Sequence, residues 1–511
     1  MKNPSSELHQ LILSLSKHDK IYLKVFLRKR GIEGLPVELF NLISAQETYD
    51  EAAIRERLSE SYNVRSFAQH KLRLYDAILE SLRIRRAGAT QHEVIDIQIA
   101  NVECLIEKGL FAQANKLLRN TLKLAEEIEY HTAMLEMLIK QRRILQHKQE
   151  RGVAEKIIKS LADSEASLMA HEREQRYQML YDRMLLYSRF FYKQRRPEDI
   201  AAMQILIQSP LLLDESLAVT FYCRVYFYAI HARYHRLHNR NGEVCKFRLK
   251  LVELWENNPE RKRDNFLGSL KALANLANSC LLCDPIDNQL LNTTLTKIRA
   301  LKPANITQDV EKYQSETHIN LLQALNSCSL DDVVNDIPAI EQGLRKFDDY
   351  LVISRKLAIS YNIAAIYFIR EQYNEALKWI LKIMHEYKTD SRQDIQLMAQ
   401  VLFAVIHFSL GSHASLEMLL RKIHDYFNRK RPSLDFEKKF IGELKQLVGA
   451  VTERDREAVY LRLCNQLRAT AAGPPESHFL GLRELLFWFE SRVQKRPMAK
   501  VFAEYNARRN G

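Results

Sequence analysis

At 511 residues the chain is longer than one globular core supports, because such cores stop growing at roughly 250–300 residues. Hydrophobic residues make up 46% and charged residues 27% of the chain, which excludes a disordered protein. Only 14 Gly and 12 Pro occur, about half the usual share of each. Since turns and strands need these residues and helix interiors exclude them, the composition favours helices.

The charge balance is basic, with 76 Lys and Arg against 63 Asp and Glu and a net charge of +13. Such a balance is compatible with nucleic acid, acidic protein partners or anionic lipid. The basic residues are spread along the chain and do not concentrate in one tail, so charge alone leaves nucleic acid only as an alternative.

The cysteines and the apolar stretches indicate a cytoplasmic protein. Seven cysteines is an odd number, and most lie inside apolar helical stretches, as expected for thiols in a reducing compartment. The N-terminal stretch lacks the apolar core of a secretory signal. The longest apolar stretch, Leu397 to Leu410, is about 14 residues long and contains Gln400 and His407, which is too short to span a bilayer. No membrane association is predicted.

The first 90 residues predict a compact helical cap. Ser16 followed by Asp19 is typical of a capping box that opens a helix carrying Tyr22 to Arg28. After a stretch that contains Gly31, Gly34 and Pro36, the spacing of apolar residues predicts a long helix from about residue 65 to residue 86.

From about residue 92 a helical unit repeats. Because each unit reads as a helix, a short turn and a returning helix, the pattern predicts stacked hairpins. We expect an all-α fold, a right-handed α-solenoid of about ten antiparallel helix hairpins over residues 91–511, preceded by the cap over residues 1–90. The units are predicted to start near residues 92, 129, 170, 214, 263, 306, 351, 391, 433 and 476.

The clearest unit runs from Tyr361 to Leu377. In it Ala364 is the small residue where two helices approach closely, Tyr373 begins the second helix, and Ala376 lets that helix pack back on the first. This resembles the tetratricopeptide consensus, to whose small-residue, aromatic and alanine positions these three residues correspond. The first unit repeats the turn pattern with Gly109, Phe111 and Ala114.

At a wider scale the chain resembles an uncharacterised family of tetratricopeptide-like helical repeat proteins of Bacteroidota bacteria. The resemblance covers most of the chain, implies the helical repeat fold, and carries over no catalytic residue. The features that carry it are the segments 15–20 (Leu-Ser-Lys-His-Asp-Lys) and 361–364 (Tyr-Asn-Ile-Ala), Trp379, 394–396 (Asp-Ile-Gln), 407–411, and the ending with Glu490-Ser491 and Arg496-Pro497.

Two groups of metal-ligand residues favour structural interpretations. Cys280 and Cys283 form a CxxC pair, but no second pair lies at a zinc-site spacing and the motif ends an apolar helix, so we interpret them as core thiols. His231, His235 and His238 share one helix at a spacing that could bind a metal. Neighbouring arginines disfavour a cation there, so a solvated basic helix end is the preferred interpretation.

No motif predicts catalysis. The sequence contains neither phosphate-cradling pattern, GxxxxGK[ST] or GxGxxG, and no GxSxG for a serine nucleophile. We therefore expect a non-enzymatic protein without a cofactor or a metal.

Aromatic residues interleave with arginine in two stretches, residues 181–196 and 221–234. Because aromatic rings stack on bases and arginine pairs with phosphate, single-stranded RNA could bind there. Aromatics at helical spacing more often pack in a core, which is the favoured interpretation. The residues that would contact nucleic acid are Arg189, Arg195, Arg196, Arg224 and Arg233.

The predicted function is that of a cytoplasmic scaffold that binds a protein or peptide in the groove of the solenoid. By resemblance, the groove residues of the clearest unit are Ala358, Tyr361, Ala365 and Phe368, an apolar set suited to a partner helix. The alternatives are a nucleic-acid-associated regulator, and a peptide-sensing regulator in which a small N-terminal domain precedes the repeats. Residues 1–90 show no clear helix-turn-helix, which disfavours DNA binding by the cap.

Overall fold

The computed structural model is all-helical, and the all-α prediction is confirmed: the residues that it describes contain no strand. It describes residues 6–60, 62, 66–86, 88, 90–147, 152–188, 197–327, 330–387, 392–411, 416, 420–421, 435–450, 452–472 and 480–510.

The chain divides into two compact units, Met1–His171 (the N-terminal unit) and Glu172–Gly511 (the C-terminal unit). The boundary predicted at residue 90 falls inside the N-terminal unit. The helices that begin in this unit are α1 (Glu7–Ser14), α2 (Lys17–Lys29), α3 (Leu35–Ser44), α4 (Glu51–Ser59), α5 (Phe67–Arg86), α6 (Gln91–Glu107), α7 (Phe111–Glu127), α8 (His131–Gln146) and α9 (Val153–Ser188).

The described helices that follow belong to the C-terminal unit, which also has a 3-10 turn at Glu215–Leu217. They are α10 (Pro197–Ile207), α11 (Pro210–Leu213), α12 (Phe221–Leu237), α13 (Asn241–Glu256), α14 (Pro259–Asp264), α15 (Phe266–Cys280), α16 (Asn288–Ala300), α17 (Ile306–Ala324), α18 (Asp331–Lys346), α19 (Ile353–Ile369), α20 (Tyr373–His385), α21 (Gln393–Ser409), α22 (Asp435–Gly449), α23 (Glu453–Ala472), α24 (Leu482–Gln494) and α25 (Met498–Asn510).

Helices α1 to α5 enclose a hydrophobic core of their own, in which Leu27, Leu39 and Ile78 are fully buried. The predicted capping box is present at the start of α2. The backbone N–H of Asp19 donates to the Ser16 hydroxyl at 3.1 Å, and the backbone N–H of Ser16 donates to the Asp19 carboxylate at 3.0 Å. These two bonds satisfy amide groups that a helix start leaves without intrahelical partners.

Helices α6, α7 and α8 share a second core in the N-terminal unit. The turn between α6 and α7 follows the predicted pattern. Gly109 adopts a φ of +72°, a left-handed conformation that glycine reaches without a Cβ clash. Phe111 begins α7, and Ala114 is fully buried in the shared core.

In the middle of the C-terminal unit alternate helices contact each other: α15 contacts α17, α17 contacts α19, and α19 contacts α21. Helix α20 follows α19 in the chain and packs against it, so the two form the predicted hairpin. Tyr373 is the first residue of α20, and both Ala364 and Ala376 are fully buried. The starts predicted near residues 306, 351 and 391 correspond to the first residues of α17, α19 and α21 within two positions.

The helix start predicted near residue 170 is wrong, because α9 runs without a break from Val153 to Ser188. Residues 153–188 contain neither Gly nor Pro, the two residues that most readily end a helix. The apolar residues therefore keep their spacing of three and four residues past position 170, where the repeat length predicts a turn.

Candidate functional site

The four predicted groove residues do not lie on an open surface. Ala358 is 8% exposed, Tyr361 is 2% exposed, and Ala365 and Phe368 are completely buried. The physical reason is that α19 is surrounded: it packs against α17, α18, α20 and α21, and also against α24 and α25, which lie more than 100 residues further along the chain. The chain itself covers the face that the tetratricopeptide resemblance assigned to a partner.

Polar contacts fix α24 and α25 to earlier parts of the C-terminal unit. Arg483 donates to the Asn326 side chain at 2.9 Å, and Asn506 donates to the backbone carbonyl of Ser327 at 2.7 Å. At the turn between α19 and α20, Arg492 donates to the Tyr373 hydroxyl at 2.9 Å. These contacts tie α24 and α25 to the segment after α17 and tie α24 to the start of α20.

Apolar burial makes α24 and α25 part of the core. Phe487, Trp488, Phe489 and Phe502 are at most 2% exposed. Burying one large apolar side chain stabilises a fold by about 1.5–3 kcal/mol, so these four contribute about 6–12 kcal/mol, comparable to the whole stability of a domain. A partner that displaced the two helices would have to replace this energy, and so we place partner binding elsewhere.

The described residues of the two arginine–aromatic stretches make contacts within the protein. Arg224 donates from Nε to the Ala218 carbonyl at 3.0 Å, and Arg233 donates to the Ser188 hydroxyl at 2.9 Å. Phe221, Phe227 and Tyr228 are buried in the core of the C-terminal unit, as the preferred interpretation expects. The remaining three predicted nucleic-acid contacts, Arg189, Arg195 and Arg196, lie outside the described residues.

His231 and His235 lie in α12 and His238 directly follows it, and they are not a solvated helix end, since all three are partly buried. The rings of His231 and His235 stack on Phe247, with centroids 4.8 and 5.6 Å away. His231 Nε2 lies 3.0 Å from the Leu212 carbonyl oxygen. Burial lowers the pKa of both histidines, which keeps the imidazoles neutral and suited to packing.

The CxxC pair is split between two environments. Cys280 is completely buried at the end of α15, as a core thiol is expected to be, whereas Cys283 is partly buried in the turn that follows. A third thiol, that of Cys245 on α13, lies beside Cys283. Sequence spacing gave no signal for this third cysteine, because it comes from another helix 38 residues earlier.

Within the described part of the chain, no group of three or more His, Cys, Asp or Glu side chains could hold a metal ion. Across those same residues, no helix is both long and apolar enough to cross a membrane.

One exposed face combines apolar and basic side chains, and we call it the α2 face. Ile21 is 54% exposed and Val25 is 46% exposed, although large aliphatic side chains are usually buried. Lys17, Lys20 and Lys24 recur beside them every three or four residues, so the five side chains share one side of the helix. The opposite side of α2 packs in the cap core.

Two lysines of the α2 face are held in place by neighbouring groups on α3. Lys20 donates to the Ser44 hydroxyl at 3.0 Å, and the Lys24 ammonium lies 5.8 Å from the centre of the Phe40 ring. Among the described residues, no carboxylate forms an ion pair with Lys17, Lys20 or Lys24. Their positive charge therefore remains available to an external group.

A shallow concavity of about 380 Å³ lies over this face and is lined by Leu15 together with four side chains of α2. The sequence predicted the helix but not its exposed face. In a helix with so many apolar positions, spacing alone cannot separate Ile21 and Val25 from the buried Leu23 and Leu27.

Comparison with family models, with curated proteins and with solved structures returns no match for this chain.

Proposed function

We propose that the chain is a non-enzymatic scaffold of tetratricopeptide-like helix hairpins that binds a protein partner on the α2 face. The occupant that this face fits is an acidic amphipathic helix. The observation that carries the proposal is the pair of exposed aliphatic residues, Ile21 and Val25, beside three lysines that form no ion pair with a carboxylate in the described part of the chain.

The chemistry of the face favours such a helix over nucleic acid. An amphipathic helix would bury its apolar side on Ile21 and Val25 while its carboxylates meet the lysine ammonium groups. Single-stranded nucleic acid needs stacking rings in addition to cations, and the exposed apolar residues of the α2 face are aliphatic. The net charge of +13 adds a long-range attraction for acidic partners.

The scaffold part of the proposal rests on the order of helix contacts. The succession α15, α17, α19 and α21, each contacting the next, supports a stack of antiparallel hairpins of the predicted kind. Such a stack presents large surfaces without a need for catalytic groups.

The experiment compares wild type with two charge-reversal variants of the full chain. In K17E/K20E/K24E the α2 face becomes acidic. In K116E/R119E/K123E the same change in net charge is made on exposed residues of α7, in the same N-terminal unit. Each protein captures partners from nuclease-treated extract of the native cell, and a photoreactive side chain at position 25 marks what touches the face.

The expected result is one protein that wild type and the α7 variant both retain, that the α2 variant loses, and that crosslinks at position 25 through an acidic helical segment. Association should also weaken as salt rises, because the lysines are exposed. Equal capture by all three proteins would refute the proposal. Salt-dependent binding of single-stranded RNA or duplex DNA that only the α2 variant loses would support the nucleic-acid alternative instead.

A further inference from the structure

Three thiols meet in the C-terminal unit, and we call them the thiol cluster. Cys245 lies in the second turn of α13, Cys280 ends α15, and Cys283 lies in the turn after α15. The sulfur atoms of Cys245 and Cys283 are 3.1 Å apart, with one thiol donating to the other. A bond between two sulfur atoms requires about 2.05 Å, so a shift of about one ångström separates the two thiols from bonding distance.

One amide hydrogen bond and one sulfur contact tie together the backbone segments around the thiol cluster. The Asn241 side chain, at the start of α13, donates to the Leu282 carbonyl at 2.7 Å. The Cys283 sulfur lies 3.8 Å from the Asn241 carbonyl oxygen. These contacts hold the turn after α15 against the first turn of α13, so Cys245 and Cys283 face each other in the folded chain.

A cation lies near the sulfurs. Arg248, one turn after Cys245 on α13, donates to the Asn275 carbonyl and to the Ser279 hydroxyl, each at 2.5 Å. Its positive charge favours the thiolate form of Cys245, but a hydrogen bond with Cys280 and burial together raise the pKa of the Cys245 thiol above its usual range. The same hydrogen bond lowers the pKa of Cys280.

Access differs among the three thiols. Cys280 is completely buried, whereas Cys245 and Cys283 are partly buried. A small oxidant from solvent therefore reaches Cys245 and Cys283 more readily than Cys280. These are also the two thiols whose sulfurs are in contact.

We propose that Cys245 and Cys283 are an oxidation site at which a hydroperoxide converts the two thiols into an intramolecular disulfide. A thiolate attacks the outer oxygen of the hydroperoxide, so that the O–O bond breaks and a sulfenic acid and an alcohol form. The second sulfur then attacks the sulfenic sulfur and releases water. Two electrons pass from the sulfurs to the peroxide, and the two thiol protons end in the alcohol and the water.

The test treats the reduced, full-length protein with tert-butyl hydroperoxide, blocks the remaining thiols by alkylation, and maps the peptides without reduction. The expected product contains one crosslink between Cys245 and Cys283, so that five of the seven cysteines remain alkylated. Both partners should lose alkylation at the same rate, because one bond consumes both.

Three variants serve as controls, each checked for unchanged helicity. In C283S the crosslink should vanish, whereas in C280S it should still form. In C104S, which removes an exposed cysteine of the N-terminal unit, it should form as in wild type. The proposal is overturned if wild type keeps Cys245 and Cys283 fully alkylated, if the crosslink joins another pair, or if the purified protein holds stoichiometric zinc on these cysteines.

Discussion

At the scale of single residues, Tyr361 was predicted to contact a partner in the groove, but the fold buries its side chain. Its ring is buried beneath the C-terminal helices, and among the described residues its hydroxyl has no hydrogen-bond partner. Burial raises the pKa of Tyr361 well above its usual range, so the phenol stays neutral. The residue that was expected to meet a partner is thus a core residue that contributes through its ring.

The first prediction separates the ring of Tyr361 from its hydroxyl. Tyr361→Phe removes an unsatisfied buried polar group, so unfolding in denaturant should show stability unchanged or raised by up to about 1 kcal/mol. Tyr361→Ala removes the ring and should cost about 3–5 kcal/mol. If Tyr361→Phe cost as much as Tyr361→Ala, the hydroxyl would have an essential partner and the proposed role of the ring would be wrong.

The second prediction concerns His318 on α17. Burial, together with the charges of Arg355 and Arg392, lowers its pKa to about 4. Because the unfolded value is about 6.5, the unfolded chain binds more protons between these two values. Stability should therefore fall as the pH decreases through that window.

The measurement compares chemical unfolding of wild type and His318→Gln at pH 7 and pH 5. Between these values wild type should lose at most about 2 kcal/mol more than the variant, which cannot take up this proton. The comparison cancels the carboxylates that titrate in the same range. Equal losses in both proteins would show that His318 titrates normally in the folded state.

At the scale of helices, α2 depends on its first turn. The Ser16–Asp19 capping box satisfies the start of the helix, and Asp19 also pairs with Arg85 on α5. Since α2 carries the proposed partner face, its stability and its binding can be tested separately.

The third prediction is that Ser16→Ala destabilises α2 by about 1 kcal/mol, because the backbone amide of Asp19 loses its acceptor. Hydrogen exchange of α2 amides should accelerate by about fivefold as a result. The α2 face would keep its charges and aliphatic groups, so partner capture should change little. Unchanged exchange would mean that neighbouring helices alone hold the first turn.

At the scale of the whole molecule, local patterns predicted much of the helical framework. The starts of α17, α19 and α21, the hairpin turn at Gly109 and the capping box at Ser16 all follow from neighbours within one or two turns. Such features depend on spacing and on turn chemistry, which the sequence displays directly.

Long-range contacts account for what the sequence did not predict. The burial of Tyr361 depends in part on helices that begin 121 positions later, at Leu482. No local pattern in the sequence predicts where those helices pack. The thiol cluster likewise needs α13 beside α15, and the exposure of Ile21 depends on how five helices share one core. Each of these is a property of tertiary packing.

The fourth prediction tests whether the C-terminal helices are integral to the fold. A chain that ends at residue 480 lacks α24 and α25 and exposes the apolar face of α19. We expect this chain to aggregate and to lose cooperative unfolding in its C-terminal unit, since about 6–12 kcal/mol of burial is absent. A soluble, cooperatively folded product that binds peptides at Tyr361 would restore the original groove interpretation.

The hydrogen bond that Arg483 donates to the Leu325 carbonyl joins residues 158 positions apart in the chain. A ribosome makes proteins in order, so α17 to α21 emerge while the helices that cover α19 have yet to be translated. Closing contacts between such distant segments is slow, and an uncovered apolar face invites aggregation in the meantime. During its own synthesis this protein therefore passes through a stage in which α24 and α25 do not yet cover α19.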